Sequence, residues 1–444
     1  MKYTFGTDGI RGKANKTLTA AVAFRLGFYL GLYFSKESKG KILIGKDTRL
    51  SSDMLEAAIT AGATAGGADI YQIGICPTPC VSYLVRKEGF SCGVMISASH
   101  NPYYDNGIKV FNGNGNKLDR EVELAIENYI NGSEELEPKI DTEIGTVIKM
   151  ENGVDEYLGW LNEIVPLDLS GYNIAIDAAN GSATVSAYKL LTNLNANCDI
   201  INNSPNGINI NTDCGSTHPE GLIKMVKEGN YDIGLAFDGD ADRLLAVASD
   251  GQLIDGDKII YCCGKYLKDK NELPSNTVVT TVMANLGLFR KLEVEEINCK
   301  VTQVGDKYVY ECMQNENYVL GGEQSGHIIF SKYATTGDGL LTALMLLKVM
   351  IDTTNSLNEL TDDLFIYPQL LVNVPVKNKE KALLDDDLSS LCRRIEAELD
   401  KDGRILVRPS GTEQLVRVMV EAKTDALCDK HVYEVVELIK SKEL

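Results

Sequence analysis

A hydroxyl, an imidazole and an amide delivered together by an apolar run could carry a group transfer. The segment Cys92-Gly93-Val94-Met95-Ile96-Ser97-Ala98-Ser99-His100-Asn101-Pro102 supplies them as Ser99, His100 and Asn101. A serine hydroxyl is a poor nucleophile until a base, a metal or positive charge assists it, and His100 and Lys109 lie close enough in sequence to do so. The same residues also read as an ordinary turn closed by Pro102. A second run, Phe237-Asp238-Gly239-Asp240-Ala241-Asp242-Arg243, sets three carboxylates at alternating positions between apolar stretches. Such carboxylates repel one another unless a cation neutralises them, and their oxygens can converge on one hard ion. A calcium EF-hand does not fit: its sixth position here is Arg243 rather than glycine, its twelfth is Ser249 rather than glutamate, and strand-like runs flank the loop. Magnesium, with a phosphate oxygen completing its shell, suits the donor set, and a solvated acidic turn is the alternative.

A third loop, Gly321-Gly322-Glu323-Gln324-Ser325-Gly326-His327, holds a carboxylate, a hydroxyl and an imidazole between glycines that let a polyol approach closely. It equally reads as a surface turn. The chain has four histidines, and two of them, His100 and His327, fall in these loops, which favours the functional reading. A fourth run, Arg408-Pro409-Ser410-Gly411-Thr412-Glu413 with Arg417 beyond it, offers guanidinium groups, hydroxyls and loop amides as an anion cradle. A capped strand-to-helix turn competes with that reading. Gly9-Ile10-Arg11-Gly12 and Lys46-Asp47-Thr48-Arg49 add cations near strand ends, each on its own a solvated charge.

Short β-branched apolar runs alternate with longer amphipathic stretches, the pattern of β-α-β units covered by helices on both faces, so the class is α/β. Three runs end in a polar loop followed by a helix-like segment: Lys41–Lys46, Asn173–Asp177 and Thr277–Thr281. Their spacing predicts three related α/β domains. Boundaries fall at the polar segment 132–138, near Asp255-Gly256-Asp257, and around Pro368. Beyond Pro368, strands over 370–376, 404–407 and 416–421 with helix patterns between and after them predict a smaller α+β unit. The division is therefore 1–150, 151–253, 254–367 and 368–444.

The 444 residues are enough for several such units, and 44% hydrophobic with 24% charged residues is the balance of a globular chain. A formal net charge of −19 disfavours nucleic acid and anionic membrane as partners, so anionic substrates must meet local cationic clusters. No apolar window approaches the roughly 20 residues that span a bilayer, and no basic segment followed by an apolar run opens the chain, which makes a cytoplasmic location the default. The 11 cysteines are odd in number, scattered and without CxxC spacing, and read as reduced thiols.

Taken in order, these segments resemble the α-D-phosphohexomutase superfamily, whose phosphoserine, metal, sugar and phosphate loops follow one another along the whole chain. The opening Phe5-Gly6-Thr7-Asp8-Gly9-Ile10-Arg11-Gly12, the Ile96-Ser97-Ala98-Ser99 form of the serine loop and Gly322-Glu323-Gln324-Ser325-Gly326-His327 look like its phosphoglucosamine mutase branch. Glucose and mannose mutases more often have methionine where Gln324 stands. The resemblance implies three related α/β domains with mixed sheets and a smaller C-terminal α+β domain around a central cleft, with the last domain moving during turnover. It implies that Ser99 carries the phosphoryl group and that Asp238, Asp240 and Asp242 bind Mg2+ together with oxygens on Ser99. Glu323 and Ser325 would hold sugar hydroxyls, and Arg408, Ser410, Gly411, Thr412 and Arg417 would grip the phosphate that is not reacting. Arg11, Lys109, Arg243 and His327, with His100 beside the serine, would stabilise charge or move protons. The implied reaction interconverts glucosamine 6-phosphate and glucosamine 1-phosphate through a phosphoserine enzyme and glucosamine 1,6-bisphosphate, for UDP-N-acetylglucosamine and cell-wall precursor synthesis. A homodimer is left open. Two positions depart from the pattern: Gln414 replaces a usual proline, and Lys307 a usual arginine. The alternatives are phosphomannomutase or phosphoglucomutase activity, a phosphosugar-binding protein without catalysis, and a magnesium phosphatase with an aspartyl nucleophile at Asp238 or Asp240.

Overall fold

One strand order recurs three times. The computed structural model, which describes residues 2–6, 8–410 and 414–442, gives each recurrence as a mixed sheet. In the first, Asp69–Ile75, Lys41–Lys46 and Cys92–Ile96 run parallel and Asp105–Asn112 returns antiparallel. Ile10–Lys13 and Val147–Lys149 extend its two edges. Asn197–Ile201, Asn173–Asp177, Ile233–Phe237 and Leu244–Ala248 repeat that order and those directions, with Leu253–Ile254 added beyond the last. Asn298–Thr302, Thr277–Thr281, Leu320–Gly322 and Ile328–Phe330 repeat them again. In every sheet the third strand turns into an antiparallel fourth. Those three turns carry the serine loop, the acidic loop and the glycine-flanked loop.

The local sequence explains the pattern. Parallel strands covered on both faces need continuous apolar runs, and Ile42, Leu43 and Ile44 are fully buried. Each such side chain contributes roughly 1.5–3 kcal/mol when fully buried. Helix Ala20–Phe34, whose N-cap Thr19 accepts from the Val22 amide, packs on helix Ser52–Ala65 at very short range. A Cβ on Gly62 would lie 2.1 Å from the Phe24 carbonyl oxygen, so only glycine permits that approach.

The chain forms two compact units: the residues up to Met283 together with Ile297–Asp362, and Ala284–Glu296 together with the chain from Asp363 onward. The second contains an antiparallel sheet in the order Gln369–Pro375, Leu415–Ala422, Gly403–Pro409, against which helix Asp425–Ser441 packs, with helix Asp386–Leu399 packed alongside. Buried Glu421 ties helix Leu286–Val294 into this unit by accepting from the Leu286 amide at 3.1 Å and from Arg404 Nε at 2.6 Å. The class read from the sequence thus stands as three α/β domains with mixed sheets and a smaller C-terminal α+β domain. Among the described residues, no helix is long and apolar enough to cross a membrane.

Candidate active site

Ser99 is delivered by the buried strand Cys92–Ile96 and sits at φ +53°, a left-handed conformation uncommon outside glycine. Its surroundings hold it there. The Ser99 amide donates to Ser97 Oγ at 2.8 Å, and the Ser99 carbonyl accepts from Arg49 Nη2 and from Asn211 Nδ2, each at 2.8 Å. Arg49 also donates to the carbonyls of Asn101 and Pro102 and pairs with Asp47. Read from sequence as a solvated charge, Arg49 is instead only 2% exposed, and it binds the serine loop through three backbone oxygens.

The Ser99 hydroxyl donates to Asp238 Oδ2 at 2.7 Å and lies 3.2 Å from His100 Nδ1. The acidic loop is the turn of the hairpin in which Leu244 faces Phe237, and its three carboxylates have oxygens within 4.8 Å of one another. Gly239 makes the meeting possible, since a Cβ there would lie 2.6 Å from the Ser99 carbonyl oxygen. Lys109 Nζ enters from the antiparallel strand at 2.8 Å from Asp240 Oδ2, 2.9 Å from Asp242 Oδ2 and 3.1 Å from Asp8 Oδ2. Its help to Ser99 therefore runs through the carboxylates. Thr78 Oγ1 donates to Asp240 Oδ2 at 2.5 Å.

Burial, then the neighbouring Asp242 and Asp240, push the Asp238 carboxyl well above its ordinary range. Burial also opposes the charge of Asp242, but Lys109 and His327 hold that carboxyl below its ordinary value. The raised carboxyl of Asp238 thus reports buried acidic groups crowded closely enough to oppose one another's charge. Asp240 Oδ1 and Asp242 Oδ1 are buried without a hydrogen-bond partner. Orphaned hard oxygens in a buried triad are the donor set a divalent cation such as magnesium requires.

Arg11 is paired with Asp8, and Arg243 lies about 4 Å from Asp238 and Asp242. Burial, with Arg243 and Arg11 nearby, lowers the His100 imidazole to about 4. The glycine-flanked loop lies against the acidic hairpin, with the Leu244 amide donating to the Gly326 carbonyl at 3.0 Å. Glu323 Oε1 accepts from the Gly305 amide at 3.1 Å, and His327 Nε2 accepts from the Gly337 amide at 3.2 Å. Gln324 Nε2 donates to Asp255 Oδ2 at 3.3 Å, while Ser325 is exposed. A cavity of about 420 Å³ opens between the two loops, lined by Arg11, His100, Arg243, Glu323, Ser325 and His327 among others. The structure therefore gathers every predicted site residue of the first compact unit into one place.

The fourth loop belongs to the second unit. Arg408 and Arg417 face each other across the paired strands Gly403–Pro409 and Leu415–Ala422, and burial together with Arg417 lowers the Arg408 guanidinium. Arg417 Nε is buried without a partner. Ser410 is buried, and its carbonyl accepts from Lys379 Nζ at 2.6 Å. Gln414, where a proline was expected, donates through Nε2 to the Lys377 carbonyl at 3.0 Å. Gly411 and Thr412 lie outside the described residues. Two juxtaposed guanidinium groups suit an anion.

Sequence reasoning missed Asp8, Asp306, Lys117, Asn211 and Lys379. Asp8 stood in the quoted opening motif and Asp306 beside the departure at Lys307. Nothing in the pattern signalled the other three, because their role comes from reach across the fold.

Residues 2–137, 155–251, 255–366 and 371–438 match, in turn, the families described as phosphoglucomutase/phosphomannomutase alpha/beta/alpha domains I, II and III and the phosphoglucomutase/phosphomannomutase C-terminal domain. The phosphoglucosamine mutase of Lachnoclostridium phytofermentans is 51% identical over 442 residues, spanning 99% of this chain and 98% of its own. A phosphoglucomutase/phosphomannomutase family protein of Burkholderia thailandensis has a similar crystal structure, with a TM-score of 0.81 at 23% identity over 99% of this chain and 98% of that one. Aspergillus fumigatus N-acetylphosphoglucosamine mutase, in complex with GlcNAc-6P and magnesium, gives 0.74 at 18% identity over 100% and 96%. At such identities the two structures speak to the fold alone.

Proposed function

The chain belongs to the phosphoglucomutase/phosphomannomutase family and is an isomerase of the phosphohexomutase kind, and from that premise we propose that it interconverts glucosamine 6-phosphate and glucosamine 1-phosphate through phospho-Ser99. The observation that carries this reading is the Ser99 hydroxyl held 2.7 Å from Asp238 in a buried acidic triad. The phosphoryl group leaves Ser99 Oγ for the free 1-hydroxyl of glucosamine 6-phosphate: the Oγ–P bond breaks, the sugar O–P bond forms, the sugar hydroxyl gives its proton to a nearby base, and Ser99 Oγ takes up a proton as it leaves. The resulting glucosamine 1,6-bisphosphate, turned end for end, returns its 6-phosphoryl: the O6–P bond breaks, the Ser99 Oγ–P bond forms, the serine proton passes to a base, O6 takes up a proton, and glucosamine 1-phosphate departs.

Phosphoryl transfer is mostly positioning and electrostatics, so the roles follow from charge. Arg49 and Asn211 fix the serine loop. Lys109, Arg11 and Arg243 meet charge on the transferring group. His100, neutral at ordinary pH, and His327 are the candidates for proton transfer. Glu323 and Ser325 hold sugar hydroxyls, and Arg408, Ser410, Gly411, Thr412 and Arg417 are the grip for the phosphate that is not reacting. Magnesium, held by Asp238, Asp240, Asp242 and an oxygen on Ser99, supplies Lewis-acid stabilisation of the phosphoryl oxygens when bound. The four-domain division at 150, 253 and 367, a cytoplasmic location and the supply of UDP-N-acetylglucosamine for cell-wall precursors complete the proposal.

The test is covalent. Protein incubated with glucosamine 1,6-bisphosphate and magnesium is expected to gain one phosphate on Ser99, located by peptide mass spectrometry, and Ser99→Ala is expected to lose at least about a thousandfold in kcat. Undiminished isomerisation by Ser99→Ala would refute the mechanism. Free phosphate released at the rate of turnover would support a phosphatase instead.

A further inference from the structure

We propose that Asp306 determines specificity by taking the substrate's 2-amino group as an ammonium. This deepens the reading of the site as a hexosamine phosphate mutase and rests on it. Cations and carboxylates both line the 420 Å³ cavity. Arg11 and Arg243, which line the cavity together with Asp8 and Asp242, suit a phosphoryl group. The part of the lining built from residues 304–306 and 323–325 carries two further carboxylates, Asp306 and Glu323. Lys117 and Lys307 line an adjoining cavity of about 320 Å³ rather than this one. Asp306 lines both cavities, pairing with Lys117 Nζ at 2.5 Å and lying 3.8 Å from His327 Nε2.

A sugar phosphate brings two negative charges, and a neutral hexose would gain nothing from meeting two more. A hexosamine differs because its ammonium donates three hydrogen bonds and needs an anion. Glu323 accepts from the Gly305 amide and is assigned to sugar hydroxyls, and Asp306, paired through Oδ2 with Lys117, is the carboxylate beside it that the amine would meet. Although burial opposes its charge, Lys117 and His327 hold the Asp306 carboxyl below its ordinary value, so it stays an anion when the substrate arrives. Its place at the first position of helix Asp306–Glu316 favours the same state.

The experiment uses the full chain and compares wild type, Asp306→Asn and Asp306→Glu. Calorimetry gives the affinity of each for glucosamine 1-phosphate and glucose 1-phosphate, and turnover of glucosamine 1-phosphate gives KM and kcat. Asp306→Asn is expected to weaken glucosamine 1-phosphate roughly 10- to 100-fold, the worth of one charge-assisted hydrogen bond, mainly in KM. Glucose 1-phosphate should change less than about threefold, and Asp306→Glu should recover part of the preference, which a merely structural role for the carboxylate would not produce. Equal weakening of both ligands, or of neither, overturns the assignment while leaving the mutase reading intact. A wild-type protein that turns over mannose or glucose phosphates but neither glucosamine phosphate would sink the proposed function, and this inference with it.

Discussion

Lys109 bears a load that its position in the sequence does not reveal. It is 3% exposed and touches Asp8, Asp240 and Asp242 at once, and those three carboxylates hold its ammonium charged against the penalty of burial. Removing one partner from a buried ion cluster typically costs about 3–5 kcal/mol, because the remaining charges keep their desolvation and lose their compensation. Lys109→Met is therefore expected to melt well below the wild type in metal-free buffer and to recover part of the difference when magnesium is added, with kcat reduced at least about a hundredfold. Thermal unfolding of both proteins with and without a chelator checks this, and identical melting in metal-free buffer would show that the ammonium does not neutralise the triad. At this scale the sequence was readable where chemistry is local. Three alternating carboxylates announce themselves by their own repulsion. Arg49 was misread because a run of charges near a strand end shows charge but not burial, and its three carbonyl acceptors at Ser99, Asn101 and Pro102 lie some fifty residues away.

At the scale of elements, the hairpin that follows the third strand of each α/β sheet explains why loops so far apart in sequence do related work. The three repeating runs at Lys41–Lys46, Asn173–Asp177 and Thr277–Thr281 were legible as strands, because a β-branched run followed by a polar loop has few other readings. The antiparallel return was not, since direction leaves no mark on a short apolar run. Helix Gly339–Thr353 shows how one such element is held against the acidic hairpin: the Gly339 amide donates to the Ala241 carbonyl at 3.0 Å, and the cap is Asp338, which accepts from the Leu341 amide and from Tyr157 Oη. Burial raises the Asp338 carboxyl from 3.8 to about 6 despite those bonds. Between these values the folded protein binds more protons than the unfolded chain. The group's contribution is therefore fully present below about pH 4 and is lost as pH rises through 6, a difference of about 3 kcal/mol. Asp338→Asn keeps an acceptor for both donors and never ionises. Its stability relative to wild type is expected to improve by about 2–3 kcal/mol between pH 4 and pH 7, as measured by urea unfolding at both values. A difference that does not change with pH would mean that the carboxylate stays charged at no cost.

At the scale of the molecule, the second compact unit is discontinuous, and a boundary drawn from composition cannot show this. The change of text at Pro368 marks where a small α+β sheet begins, whereas Leu286–Val294 carries the same amphipathic pattern as any crossover helix. What ties it to the later sheet is polar and specific. Glu421, fully buried, accepts from the Leu286 amide and from Arg404, and its carboxyl is raised by burial although Arg404 pulls the other way. Asn285, 1% exposed, donates to the Tyr367 carbonyl at 2.9 Å and accepts from the Tyr367 amide at 3.0 Å. A chain cut after Asp362 keeps residues 284–296 but loses Tyr367, Arg404 and Glu421. The start of the helix would then hold polar groups stripped of these partners, and each one left buried and unpaired costs about 1–3 kcal/mol. The truncated chain is accordingly expected to unfold at lower temperature than the same residues do in the intact protein, to bind a hydrophobic dye and to lose order first at 284–296, read by hydrogen exchange. Protection of that segment equal to that in the full chain would show that the helix belongs to the sheet it crosses and not to the unit that follows.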